Sequence, residues 1–231
     1  MEKEYLKTDP AFMELVGNFA FDEVVNEKGQ ELDAPTRWLC ILASLIGSQS
    51  ADAYRDFLPR ALSEGLAPAA VKEMVYQSTD YLGMGRMWPF LAATNEIFSA
   101  RGILLPGCGE LTTDKDDRLE KGAEAQAEIF GPQMKEAWKA GHINRWLAAN
   151  CFGDYYTRTG LDLRQRELIT FCFLMAQGGC EPQLIAHAKG NMNMGNDKDF
   201  LKRVISQCLP YIGYPRSLNA ISCVEKAAEG R

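Results

Sequence analysis

The chain has 231 residues, of which 46% are hydrophobic and 24% charged, with a formal net charge of −6 and a pI near 5.1. That length buries a proper core, as one large domain or two small ones. The acidic balance argues against nucleic acid or an anionic membrane as the main partner, because both require a basic face.

The longest apolar run, around residues 38–47, is far short of the roughly 20 residues a spanning helix needs. The opening Met1-Glu2-Lys3-Glu4-Tyr5 lacks the apolar centre of a secretory signal. Seven cysteines (Cys40, Cys108, Cys151, Cys172, Cys180, Cys208, Cys223) are scattered, odd in number and free of CxxC pairs. This pattern fits reduced thiols in the cytoplasm, and neither a disulfide framework nor a zinc site.

In chain order, a first amphipathic helix is expected over residues 34–47, after Leu32-Asp33. A break, a second helix and a glycine-ended turn at Gly65 follow. A third helix opens with Pro68 in its first turn and ends at Gly83, with another helix beyond. Leu105-Pro106-Gly107-Cys108-Gly109 reads as a loop, and Thr112-Thr113-Asp114 as the cap of the next helix. The same order then returns: a helix over residues 163–176, a turn at Gly195, Asp197 as an N-cap, and a stop at Gly213. No region sustains period-2 alternation, so the fold class is all-α.

This return is also visible residue by residue. Leu32-Asp33-Ala34-Pro35-Thr36-Arg37-Trp38-Leu39 aligns with Leu161-Asp162-Leu163-Arg164-Gln165-Arg166-Glu167-Leu168 at an offset of 129. Tyr81-Leu82-Gly83-Met84-Gly85-Arg86 aligns with Tyr211-Ile212-Gly213-Tyr214-Pro215-Arg216 at an offset of 130. Gly65 with Gly195 and Lys72 with Lys202 fit the second offset, and Asn18…Asp22 weakly echoes Asn150…Asp154. Two modules are therefore expected, residues 1–104 and 112–231, joined near residues 101–116.

Candidate chemistry concentrates in the second module. Of two histidines, His142 reads as a surface or cap residue, whereas His187 follows Gly178-Gly179-Cys180-Glu181-Pro182. The glycines stop one helix and Glu181-Pro182 suits the first turn of the next. Cys180 then stands at a helix N-terminus, where the macrodipole favours a thiolate. Seven residues make two turns, so Cys180 and His187 share a face. The alternative for Cys180 is a small buried apolar residue. The first module has Ser50 or Ala51 opposite Cys180, Phe57 or Leu58 opposite His187, Trp38 opposite Glu167 and Asn26 roughly opposite Arg158. Polar groups missing together from one copy point to a site, since packing roles would persist in both. Glu167, Cys180, His187 and Arg158 are the candidates, with the first module as an inactive scaffold.

Asp162-Leu163-Arg164-Gln165-Arg166-Glu167-Leu168-Ile169-Thr170, Gly178-Gly179-Cys180-Glu181-Pro182-Gln183-Leu184 with His187, and Tyr211-Ile212-Gly213-Tyr214-Pro215 with Leu218-Asn219-Ala220 strongly resemble the 4-carboxymuconolactone decarboxylase family. Cys151-Phe152-Gly153-Asp154-Tyr155-Tyr156-Thr157-Arg158 is similar to the aromatic, Arg-bearing segment that precedes its core. The resemblance implies two tandem alkylhydroperoxidase D-like modules in a ring-forming homo-oligomer, a trimer or hexamer. It implies a cofactor-independent decarboxylase of a small carboxylated lactone, the substrate acting as its own electron sink. Arg158, or second Arg166, would anchor a carboxylate, His187 would deliver a proton, and Glu167 would orient His187. Arg166 is second because its counterpart Arg37 persists in the first module, which suggests a structural ion pair. Alkylhydroperoxidase D-like thiol peroxidases share the fold. On that alternative Cys180 attacks peroxide, but Gln183 replaces the second cysteine, so Cys108, Cys151 or an external thiol would have to resolve the sulfenic acid. A non-catalytic oligomeric scaffold is the third possibility.

Overall fold

The computed structural model describes residues 2–104 and 109–229. Most of the expected loop at residues 105–109, with Cys108, lies outside the described residues. The first half forms α1 (Glu2–Thr8), α2 (Pro10–Asn18), a π-helical turn (Phe19–Glu23), α3 (Val24–Asn26), α4 (Ala34–Gly47), α5 (Ala51–Ser63), α6 (Pro68–Leu82) and α7 (Met84–Ala100). The second forms α8 (Arg118–Phe130), a 3-10 segment (Pro132–Ala140), α9 (His142–Trp146), a π-helical segment (Leu147–Tyr156), α10 (Leu163–Gln177), α11 (Glu181–Asn193), α12 (Lys198–Ile212) and α13 (Tyr214–Glu229). Among the described residues there is no strand, and no helix is long and apolar enough to cross a membrane.

Local chemistry sets the helix starts. The Asp33 carboxylate accepts from Thr36 N at 2.9 Å and so caps α4. Asp162 and Gln165 form a reciprocal capping box at α10. Asp197 caps α12 through Phe200 N. Thr112 and Thr113 do not cap α8. Their hydroxyls donate to Thr157 O and Gly153 O, tying this connection to the π-helical segment, while Asp114 accepts from the amides of Asp116 and Asp117. A hydroxyl that close to another segment's free carbonyl does more by crossing than by capping.

α4 and α10 pack together at the centre, and each is buried on all sides, over residues 37–47 and 166–176. Each half's third helix crosses to the other half's central helix, α6 on α10 and α12 on α4. One apolar core therefore runs through both halves. A smaller cluster of Ala125, Ile129, Cys151, Phe152 and Tyr156 lies between α8 and the π-helical segment. These two elements approach so closely that a Cβ on Gly122 would collide with Ala148 O and one on Gly153 with Arg118 O.

Candidate active site

The approach of α8, the π-helical segment, α10 and α11, with the end of α6, encloses a cavity of about 660 Å³. His187 and Cys180 lie on its wall, with Tyr81, Phe130, Phe152 and Asp80. His187 Nδ1 stands 2.9 Å from Glu167 Oε2, and Glu167 is fully buried. Its second oxygen, Oε1, accepts from Tyr156 OH at 2.9 Å. With the carboxylate ionised, Nδ1 is the donor and Nε2 is left to meet a ligand. Asn191 holds the two helices in register by donating to Glu167 O and to His187 O, at 2.8 and 2.9 Å. The imidazole is sandwiched edge-on between Tyr81 and Phe130, at centroid distances of 5.5 and 5.3 Å.

A π-helix is rare and often marks a functional position, because its extra residue per turn re-aims side chains. Here it turns Tyr156 to Glu167 while Phe152 lines the cavity. Tyr156 OH gives its single proton to Glu167, so it accepts from Tyr81 OH at 2.7 Å. It is also 2.8 Å from Thr170 Oγ1.

Cys180 is the N-cap of α11 but makes no capping bond. The expected thiolate does not match its surroundings: burial pushes the thiol up, and nearby Glu181 raises it further, against lowering by Gln177 and Arg216. Desolvation outweighs the helix terminus here. Its sulfur touches Gln177 Nε2 at 3.6 Å and Leu174 O at 3.5 Å.

Arg158 and Arg166 are not brought to the cavity wall. Arg158 Nε and Nη2 donate to the Glu73 carboxylate at 2.9 to 3.1 Å, and Nη2 also donates to Gly109 O. Arg166, fully buried, donates to Glu73 Oε2 at 3.0 Å, to Gln77 Oε1 and to Arg158 O. The expectation of a substrate-anchoring arginine does not fit this placement, because a buried Glu73 on α6 already occupies both guanidinium groups. Arg166 is the structural ion pair that the persistence of Arg37 suggested. His142 begins α9, exposed, its ring 5.0 Å from Trp146.

Sequence reasoning missed the first half's contribution. Asp80 and Tyr81, at the end of α6, reach the second half's cavity, so residues 1–104 are not a bystander to the site. The signal was available: Tyr81 opens a block repeated at Tyr211, and Asp80 falls opposite Pro210 at the same offset. Where the second half has Glu167 and His187, the first has aromatic rings. Trp38 donates Nε1–H to Glu64 Oε2 at 2.6 Å and lies 5.9 Å from Phe57.

Residues 142–226 match the model of the "Carboxymuconolactone decarboxylase family". The chain is also similar to the 4-carboxymuconolactone decarboxylase of Acinetobacter baylyi (strain ATCC 33305 / BD413 / ADP1), with 28% identity over 125 residues, covering 48% of this chain and 87% of that protein. The matched segment carries Tyr156, Glu167, Cys180 and His187, so the likeness to the carboxymuconolactone decarboxylase family lies in the half of the chain that holds the cavity's histidine and glutamate.

Proposed function

We propose that the chain is a cofactor-independent decarboxylase of a small carboxylated lactone, similar to the reaction named for its relative. The observation that carries this is a histidine on a largely apolar cavity wall, its Nδ1 held at 2.9 Å by a buried glutamate. Loss of CO₂ leaves an electron pair that moves through the ring double bond onto the lactone carbonyl. Protonated His187 then delivers the Nε2 proton to carbon and regains it from water, and Glu167 fixes the ring and balances its charge. The amides of Gln126 and Gln183 on the wall supply N–H groups for the carboxylate in place of Arg158 and Arg166. The peroxidase alternative has less support, because burial keeps Cys180 a thiol and Gln183 stands at the second cysteine position.

The same proposal takes residues 1–104 and 112–231 as two modules. Their matched helices, α4 to α7 and α10 to α13, support it. It also takes the assembly as a cytoplasmic homo-oligomeric ring, a trimer or hexamer. Met84 and Trp88 on α7, and Tyr214 and Leu218 on α13, are exposed apolar side chains at positions 130 apart and suit self-association.

The test is CO₂ release from 4-carboxymuconolactone by the purified, reduced protein, with His187→Ala alongside. Release that depends on His187 is the expected result. A folded protein that releases none, or whose His187→Ala variant is as fast, overturns the proposal.

A further inference from the structure

From Glu167, donors can be followed one by one away from His187. Glu167 Oε1 accepts from Tyr156 OH, and Tyr156 OH in turn accepts from Tyr81 OH at 2.7 Å. Tyr81 OH accepts from the Cys151 thiol at 3.8 Å, and the Asp80 carboxyl lies near enough to that thiol for each to shift the other's hold on its proton. Asp80 then returns to the cavity wall on which His187 stands. With Asp80 protonated, every donor in this series points towards Glu167; with Asp80 ionised, the one Cys151 proton turns from Tyr81 to the Asp80 carboxylate. Asp80 Oδ2 is buried and has no partner among the described residues. By the offset that pairs Tyr81 with Tyr211, Asp80 falls opposite Pro210, so it is polar in one half only, as Glu167 and His187 are.

We propose that Asp80 is a neutral hydrogen-bond-donating acid of this cavity, supplied by the first half of the chain, and that the Cys151–Tyr81–Tyr156 chain couples its protonation to that of the Glu167–His187 pair. The proposal rests on the decarboxylase assignment only for the oxygen that Asp80 meets.

The surroundings favour the neutral acid. Burial raises the Asp80 carboxyl to about 8, with Asp154 adding to the rise and the Cys151 hydrogen bond opposing it. The other groups that face it are Tyr155, on the π-helical segment with Cys151 and Asp154, Tyr81 on its own helix and His187 across the cavity. Asp154 is itself paired with Arg118 at 3.1 Å, and Arg86 of α7 is engaged with Gln177. Burial also raises the Cys151 thiol and both phenols, so all three keep their protons and transmit hydrogen bonds without ionising. A carboxylic acid kept neutral in an apolar wall is a strong donor to an oxyanion. As the bond to CO₂ breaks, the electron pair arrives on the lactone carbonyl oxygen. Asp80 turns its one O–H from the Cys151 side to that oxygen and keeps its proton, and protonated His187 supplies the proton that carbon takes up.

Two measurements test this, and neither spectrum needs substrate. Infrared difference spectra of the full-length protein with ¹³C-labelled aspartate would follow the protonated carboxyl band from pH 6 to pH 9.5. The band is expected to vanish with a midpoint near 8 and to be missing from Asp80→Asn. In ¹⁵N NMR the His187 ring is expected to show an inflection over the same range, lost in Asp80→Asn and in the chain-cutting Tyr81→Phe. An Asp80 already ionised at pH 6, or a His187 inflection unchanged by both variants, overturns the proposal. With 4-carboxymuconolactone, turnover is expected to fall above pH 8 in the wild type and to lose that limb in Asp80→Asn. Normal spectra with no turnover in any variant would sink the decarboxylase assignment and leave the proton coupling standing.

Discussion

Tyr81, from the first half of the chain, meets the ring of His187, from the second, edge-on at 5.5 Å and 81°. Tyr211, 130 residues after Tyr81, meets Phe57 in the same way, at 5.6 Å and 89°. Phe57 stands 130 residues before His187. Each half's third helix thus carries a tyrosine across to the other half's second helix. One such meeting has a histidine and a glutamate behind it, and the other has Phe57 and Trp38.

Glu167→Gln keeps the shape of the buried side chain but removes the charge that balances a protonated His187. The kcat is expected to fall about a hundredfold or more, with KM changed far less. Steady-state kinetics on the purified variant checks this, and an equal rise in KM would make Glu167 a binding group instead.

Gly190 lies on α11 where a Cβ would come within 2.5 Å of Glu167 Oε2 and 2.9 Å of Phe130. Gly190→Ala is therefore expected to destabilise the fold by about 1–3 kcal/mol and to pull the carboxylate away from His187. Urea unfolding should show the lost stability, and the His187 ring ¹⁵N shifts should show the lost partner.

The Glu73 carboxylate pairs with both Arg158 and Arg166. Glu73→Gln leaves buried guanidinium charge without its counter-charge, at an expected cost of about 3–5 kcal/mol. Arg158→Ala is expected to lower stability while leaving KM within a few-fold. A large KM rise with unchanged stability would restore Arg158 as a substrate anchor.

Cys180 is half-buried and its thiol is raised, so alkylation by iodoacetamide at pH 7 should be slower than for a free thiol. The rate should keep climbing with pH beyond the ordinary cysteine range, read at this site by peptide mass spectrometry. Rapid labelling at pH 6 would mean a thiolate and would revive peroxide chemistry.

Asp80 also links stability to pH. Its folded-state value, about 8, is above the ordinary 3.8, so the folded state holds a proton that the unfolded state has lost. Stability should therefore decline as pH rises from about 4 towards 8, with a slope of at most about 1.4 kcal/mol per unit from this group. In Asp80→Asn that decline should be absent. Denaturant midpoints at pH 5 and pH 8 compare the two proteins directly.

The helices and much of their order could be read from local sequence alone. Asp33, Asp162, Asp197 and Pro68 act on their own next turn, so the helix starts they mark were legible locally. Glu167 and His187 were legible as a pair because the positions 129 and 130 residues before them, Trp38 and Phe57, are aromatic. What the tertiary structure decided were the contacts between elements far apart in the chain. Glu73, in the first half, takes both arginines, which no local pattern around Arg158 or Arg166 reveals. Burial overrides the helix terminus at Cys180, because the desolvation of a thiolate depends on what packs over it and not on its neighbours in sequence. Asp80 and Tyr81 join the cavity only because α6 crosses onto α10. A crossing is fixed by the shared core of the two halves, and each half's pattern records its own buried face without naming the partner that covers it.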